Sequence, residues 1–195
     1  MSAETSHNEQ IVNIPIEAQR SWSLRLTITS ISSVSGHDGG RATEEMATVI
    51  VMAGVIFDSR PARTLKADVA VMLERTRDEL PAIQQLWPRF EDLVGLRGRR
   101  MYAMVDVRAG TYAACTPARE GDHPGRLGLD TAILPGGWYL RARITGEPPA
   151  LYERIGPAMQ ALEALAVPTD PGRPLIEYYR RRDEIELWVP VPVQA

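Results

Sequence analysis

The sequence predicts an α+β fold in which two tandem βαββ repeats form one antiparallel sheet, with two helices over one face and an N-terminal extension over residues 1–64. Three observations lead to this prediction. Residues 65–118 and 129–193 share the order strand, helix, strand, strand at a period of about 70 residues. The chain ends on two short apolar runs split by a charged turn, which is typical of a β-hairpin. In front of the repeats, residues 22–31 largely alternate between apolar and polar side chains, as a half-buried strand does.

Length and composition suit one domain with its own hydrophobic core. The chain has 195 residues, 44% of them hydrophobic, and its one cysteine, Cys115, leaves no disulfide framework. The N-terminus is polar and acidic where a signal peptide needs a basic start and an apolar core. The longest apolar run, residues 49–57, is about half the length of a membrane-spanning helix. We therefore expect a cytoplasmic protein without membrane association.

Charge and residue spacing exclude several functions. Lys and Arg number 22 against 25 Asp and Glu, a formal net charge of −3, which argues against direct nucleic-acid binding. Residues 1–60 hold four basic and seven acidic residues, so this segment does not read as a basic DNA-binding element. His7, His37 and His123 are scattered along the chain and lack the spacing of metal ligands. We expect no metal and no cofactor.

The extension is predicted to contain a tail, a strand and an ambiguous element. Residues 1–10 lack apolar periodicity, and glycines at 36–40 end the strand over 22–31. Residues 43–57 fit a helical face but also include short runs of strand composition, and we favour a helix. A loop is expected at 60–63.

Each element of the first repeat has a counterpart in the second. Both helices contain a proline, which predicts a shared kink or a late helix start. A linker over residues 120–128, with one proline and three glycines, joins the two halves. The matched strands are 69–75 with 138–144, 101–107 with 175–181, and 112–117 with 185–190, and the matched helix residues are Leu86, Pro88, Phe90 and Leu93 with Ile155, Pro157, Met159 and Leu162.

The C-terminal hairpin places a carboxylate among large side chains. Because successive strand residues point to opposite faces, Glu177 shares a face with Leu175 and Tyr179. A covered carboxylate must find a partner or shift its pKa. Glu177 is therefore the leading candidate for a site that takes a cationic or proton-accepting ligand. The alternative is an exposed carboxylate paired with an arginine of the turn at 180–182.

Aromatic residues of the repeats are candidates for lining a crevice between helices and sheet. Flat rings stack on planar ligands and hold cations on their faces, although aromatic residues in strands also pack in cores. Trp138 and Tyr139 point to opposite faces, so only one of the two is expected to face a ligand. The candidate ligand-binding residues are Glu177, Tyr102, Trp138, Tyr139, Tyr152, Tyr179 and Trp188.

Two stretches carry a family resemblance. The first is the order proline, apolar residue, glutamate, tyrosine, turn, apolar residue, tryptophan and Val-Pro-Val over residues 174–191. The second is the strand over 138–144, its following glycine and the helix start at Pro148-Pro149. They resemble GyrI-like proteins, whose small-molecule-binding fold is shared with effector domains of AraC-type and MerR-type regulators. The resemblance covers roughly residues 65–193 and implies that a glutamate at the place of Glu177 contacts ligands.

Three functions stay open from the sequence. The first is a stand-alone module that binds an amphipathic small molecule, cationic in its sharper version, for sensing or sequestration. The second, implied by the family, is a hydrolase of strained or activated molecules, with Glu177 as general base and a tyrosine such as Tyr152 or Tyr139 as proton donor. The third is a protein-binding module of the gyrase-inhibitor type that docks a partner through its first 60 residues. The ligand and the oligomeric state are not determined by the sequence.

Overall fold

A computed structural model describes residues 57–193. The expected strand over 22–31 lies outside the described residues, as does the expected helix over 43–57 apart from Phe57, which is buried in the core. The helices in the described range are α1 (Leu80–Val94), α2 (Ala150–Glu153) and α3 (Ile155–Leu165). The strands are β1 (Ala62–Lys66), β2 (Val69–Arg77), β3 (Met101–Asp106), β4 (Thr111–Pro117), β5 (Asp130–Leu134), β6 (Gly137–Thr145), β7 (Leu175–Arg181) and β8 (Glu184–Pro190).

The eight strands form one antiparallel sheet in the order β1-β6-β8-β7-β3-β4-β2-β5. The units β2-α1-β3-β4 and β6-α2-α3-β7-β8 are arranged symmetrically about the neighbouring strands β7 and β3. Helix α1 packs on β2 and β4, and α3 packs on β8 and β6. The predicted tandem repeats, the single sheet and the helices on one face are confirmed.

The approximate twofold axis of the repeats passes beside Ala103 and Glu177. These residues occupy equivalent positions in the two halves and pair directly where β3 meets β7. Their neighbours Tyr102 and Tyr178 also pair with each other, although they are not equivalent in the two repeats. A methyl group and a carboxylate therefore lie side by side at the centre of the sheet, on the helix side.

The sequence prediction matched Val71 in the first strand of the first repeat with Leu140 in the first strand of the second. The structure shifts this match by one residue. In the structure Val71 pairs with Pro117 and Tyr139 pairs with Pro190, the prolines that end β4 and β8. Val71 and Tyr139 are therefore the equivalent residues. A shift of one residue in a strand exchanges the side chains on its two faces.

The prolines inside the two helices have different consequences. Pro157 is the third residue of α3, which starts late, just after α2 ends. In this first turn the missing N–H of a proline has no helical acceptor to lose. Pro88 instead lies inside α1, which runs through it. The shared kink or late start that the matched prolines predicted is thus a late start in the second repeat only.

Strand β1 precedes the first repeat but pairs with the second, and strand β5 precedes the second repeat but pairs with the first. The sequence did not predict either strand. The loop expected at 60–63 gives way to β1 from Ala62, which pairs with β6, and β5 pairs with β2. Only two residues link β1 to β2, a reach of about 11 Å, whereas six strand spacings amount to about 29 Å. The sheet therefore curls until its ends meet. The division between extension and repeats at residue 64 stays a prediction.

The link between β1 and β2 crosses the equally short link between β5 and β6 at Gly136. Its backbone N–H donates to the Asp68 carboxylate at 2.6 Å. A Cβ atom at position 136 would lie 2.7 Å from backbone atoms of Lys66, Ala67 and Asp68. The crossing therefore requires a residue without a side chain.

We expect Gly136→Ala to lower the free energy of unfolding by about 1–3 kcal/mol, because the backbone of the crossing link has to shift. Gly125→Ala is the matched control, since nothing lies within 4 Å of its would-be Cβ. Denaturant unfolding of both variants measures the difference. Equal stability of the two variants would contradict the close crossing.

Among residues 57–193, side chains of the sheet separate into a helix-side core and a face on which no described helix packs, which we call the helix-free face. Residues that alternate along each strand belong to one or the other. The helix-side core includes Trp87, Phe90, Ala103, Tyr112, Leu151, Tyr152, Tyr179 and Leu187. The helix-free face carries a second buried cluster that includes Val71, Leu73, Tyr102, Cys115, Tyr139, Ile176 and Trp188.

Candidate functional site

Glu177 is a buried carboxylate held by two tyrosines. Its side chain is on the helix side of β7, and the residue is 2% exposed. The hydroxyl of Tyr179 donates a hydrogen bond to Oε2 at 2.7 Å, and the hydroxyl of Tyr112 donates to the same oxygen at 2.9 Å. The two hydroxyls lie 3.1 Å apart.

Trp87 closes this arrangement from α1. Its indole Nε1 donates to the Tyr112 hydroxyl at 3.0 Å. Its ring meets that of Tyr179 edge to face, with centroids 4.8 Å apart. Trp87 is fully buried. We call Glu177, Tyr112, Tyr179 and Trp87 the Glu177 cluster.

Small residues beside Glu177 make room for these rings. Ala114, Ala103 and Glu177 lie in one cross-strand row over β4, β3 and β7. Both alanines are fully buried in the helix-side core with Trp87 and Tyr112. Because methyl groups fill little of the space under α1, aromatic side chains can pack there and reach the carboxylate.

Burial controls the protonation of the cluster. Loss of solvation raises the pKa of Glu177 from 4.5 to about 7, although the hydrogen bonds from Tyr179 and Tyr112 lower it. Burial and the charge of Glu177 hold the pKa of both tyrosines well above its usual value, so they remain donors. Within residues 57–193, no arginine or lysine forms an ion pair with Glu177. The carboxyl group therefore retains a proton to a higher pH than an exposed glutamate does.

Glu186, another buried carboxylate, is neutralised by arginines. It lies on the helix-free face and is 4% exposed. Arg141 Nη1 lies 3.1 Å from both of its oxygens, Arg180 Nη1 lies 3.2 Å from Oε1, and Trp188 Nε1 donates to Oε2 at 3.1 Å. Its charge is thus compensated, whereas the hydrogen-bond donors to Glu177 among residues 57–193 are the neutral hydroxyls of Tyr112 and Tyr179.

The candidate residues named from the sequence divide between the two faces. Glu177 and Tyr179 belong to the Glu177 cluster, and Trp138 packs against the same helix-side core. Tyr152 is buried in that core on α2, where loss of solvation and the charge of Glu91 raise its pKa to about 12. Tyr102, Tyr139 and Trp188 lie on the helix-free face.

The two tyrosines named for the hydrolase therefore have other neighbours. The electrostatic neighbours of Tyr152 are Glu91 and Arg182. The hydroxyl of Tyr139 donates to the Pro135 carbonyl at 2.7 Å, on the face opposite Glu177. The tyrosines that do contact the carboxylate are Tyr112 and Tyr179.

Sequence reasoning missed Tyr112 and Trp87. The repeat alignment contains a signal for the tyrosine, because Tyr112 is equivalent to Ile185 and Tyr179 to Val105. Hydroxyl-bearing rings in one repeat thus replace aliphatic side chains in the other, as Glu177 replaces Ala103. No comparable signal identifies Trp87, whose position over the sheet depends on how α1 packs.

The described part of the chain has neither a membrane-spanning helix nor a cluster of metal-binding side chains. Between residues 57 and 193, no helix combines the length and apolar character needed to cross a membrane. In the same range, no group of three or more His, Cys, Asp and Glu side chains is arranged to hold a metal ion.

Comparisons with known proteins identify the fold. No protein-family model and no curated protein sequence matches the chain. An integron cassette protein from the mobile metagenome of Vibrio cholerae is 19% identical over 70% of this chain and 97% of its own, with a TM-score of 0.55. SAV2435 bound to tetraphenylphosphonium (16% identity, 69% and 95% coverage, TM-score 0.49) and the EcmrR C-terminal domain (13%, 68% and 97%, 0.48) are more distant. The chain has the GyrI-like effector-binding fold, as the resemblance of its final hairpin implied.

Proposed function

We propose that this protein is a small-molecule-binding module whose ligand is an amphipathic organic cation, taken up at the Glu177 cluster for sensing or sequestration. The observation that carries the proposal is the buried carboxylate of Glu177, which has two tyrosine donors and no cationic side chain paired with it in the described range. Such a carboxylate is costly to bury in its charged form.

A proton and an organic cation are alternative ways to compensate this charge. Without ligand, burial raises the pKa of Glu177 and so favours binding of a proton. A bound cation at about 4 Å would contribute roughly 4 kcal/mol of attraction at an effective dielectric constant near 20. Delocalised cations suit the site because they lose less hydration than compact ones and attract the faces of Trp87, Tyr112 and Tyr179.

Entry to the carboxylate requires a movement of the aromatic rings. Trp87 is fully buried and holds Tyr112 through its indole N–H. A ligand therefore takes the place of the Trp87 ring next to Tyr179, and the indole swings outward with α1. The aromatic surface that the indole leaves then packs against the apolar part of the ligand, which accounts for a preference for amphipathic molecules.

Calorimetric titration tests the proposal with tetraphenylphosphonium and the smaller benzyltrimethylammonium as cations. We expect Glu177→Gln to weaken the binding of either cation by about a hundredfold or more, equivalent to at least ~2.7 kcal/mol. Glu74→Gln is the control, because it removes a carboxylate that pairs with Arg89 outside the cluster. Triphenylphosphine oxide has the same aromatic rings but no net charge, so it should bind the parent protein and Glu177→Gln with equal affinity.

Two results would contradict the proposal. One is the absence of binding by both cations to the parent protein at millimolar concentration. The other is an unchanged affinity in Glu177→Gln, which would place the bound cation elsewhere.

A further inference from the structure

The helix-free face carries an aromatic group with a lysine over it. Tyr102 and Tyr178 stack with ring centroids 4.5 Å apart and planes 16° apart. Trp188 meets both rings edge to face at 5.9 Å. The ammonium of Lys66 lies 4.4 Å from the centre of the Trp188 ring. Lys66 and Tyr178 are half-buried, so ligands can reach both.

Positive charges outnumber negative ones around these rings. Arg180 Nη1 lies 2.9 Å from Glu184 and 3.2 Å from Glu186. Arg141 contacts Glu186 at 3.1 Å, and Arg143 contacts Glu184 at 3.5 Å. Within residues 57–193, these three arginines share the two carboxylates and Lys66 adds a fourth positive charge, which leaves two surplus positive charges in a protein of net charge −3.

Several donors of this cluster have no acceptor in the described part of the chain. Arg141 and Arg180 make their hydrogen bonds there through Nη1 alone. Their side chains are 37% and 42% exposed, so a ligand can reach them. Lys66 makes no ion pair within residues 57–193. Burial lowers the pKa of Lys66, and the positive charges of Arg141 and Arg180 lower it further. These three like charges are therefore close together.

We propose that this cluster is a second ligand site, which takes a flat aromatic molecule bearing a carboxylate. The carboxylate would bind between Lys66 and the unused nitrogens of Arg141, because guanidinium groups match the geometry of a planar oxyanion. The aromatic ring would pack against Tyr178, whose other face is covered by Tyr102. This site is on the opposite face of the sheet from Glu177 and stands independently of the function proposed above.

Binding of 2-naphthoate to the full chain tests the site by calorimetry. We expect Lys66→Met and Arg141→Met each to weaken binding by about tenfold or more, equivalent to at least ~1.4 kcal/mol. The neutral 2-naphthamide should bind at least about tenfold more weakly than the acid. Arg75→Met is the matched control, since Arg75 pairs with Asp130 on the same face but in the other half of the sheet.

Three outcomes would overturn the proposal. The first is no naphthoate binding at millimolar concentration, and the second is an unchanged affinity in both Lys66→Met and Arg141→Met. The third is inorganic phosphate binding as tightly as naphthoate, which would show that the aromatic rings contribute nothing. Arg141→Met removes a cation from buried Glu186, so its folding is checked by circular dichroism. If Arg141→Met is unfolded, Lys66→Met carries the test, because Lys66 makes no ion pair in the described range.

Discussion

Replacing Glu177 by glutamine is expected to stabilise the protein by about 3 kcal/mol near pH 8 and to leave its stability nearly unchanged near pH 4.5. The pKa of this carboxyl is about 7 in the folded protein, against an ordinary value of 4.5. Between these values the folded state binds more protons than the unfolded state. Stability contributed by the protonated group is therefore fully present below pH 4.5 and is lost as the pH rises through about 7. Glutamine keeps the shape of the neutral acid and cannot ionise.

Thermal and denaturant unfolding at several pH values measure this difference. Glu186→Gln provides a matched control, because Glu186 is equally buried but contacts Arg141 and Arg180. We expect that variant to be destabilised by about 1 kcal/mol, since Arg141 and Arg180 lose the carboxylate they share but are themselves partly exposed to solvent. A Glu177→Gln variant that behaves like Glu186→Gln would mean that Glu177 is a structural ion-pair partner rather than a ligand site.

Affinity for a permanently charged cation is expected to fall about tenfold for each pH unit below about 7, and to level off above it. The bound cation favours the ionised carboxylate, so the pKa of Glu177 is lower in the complex than in the free protein. Below pH 7 the cation must first displace the proton that the free site carries. Near pH 5 binding should therefore be about a hundredfold weaker than near pH 8.

Titrations with tetraphenylphosphonium between about pH 5 and pH 8 check this expectation, because the cation itself does not titrate. Near pH 7, binding should also release about half a proton, which appears as a dependence of the binding heat on the buffer. Residual binding in Glu177→Gln should not depend on pH. An affinity that is constant or rises toward low pH would contradict the role of Glu177 as the counter-charge.

The sequence predicted the structure most reliably where a single period dominates the pattern of apolar and polar residues. The hairpin strands, the alternation that groups Glu177 with Leu175 and Tyr179, and the tandem repeat all follow from local patterns with a period of two or from self-similarity. The exchange of β1 and β5 was missed because a strand of five residues pairs with a distant partner and has little local signal. The one-residue shift between β2 and β6 was missed because apolar composition alone does not fix register.

The sequence by itself determined that the second repeat has a carboxylate, Glu177, where the first repeat has Ala103, whereas the position of this pair at the centre of the sheet came from the structure. It also restricted the aromatic candidates to one face or the other, because neighbours such as Trp138 and Tyr139 cannot share a face. Only the tertiary structure decided what surrounds the carboxylate. Tyr112 is 65 positions from Glu177 and Trp87 is 25 positions from Tyr112. Long-range contacts of this kind depend on how α1 packs over the curled sheet, and the burial that raises the pKa of Glu177 depends on the same packing.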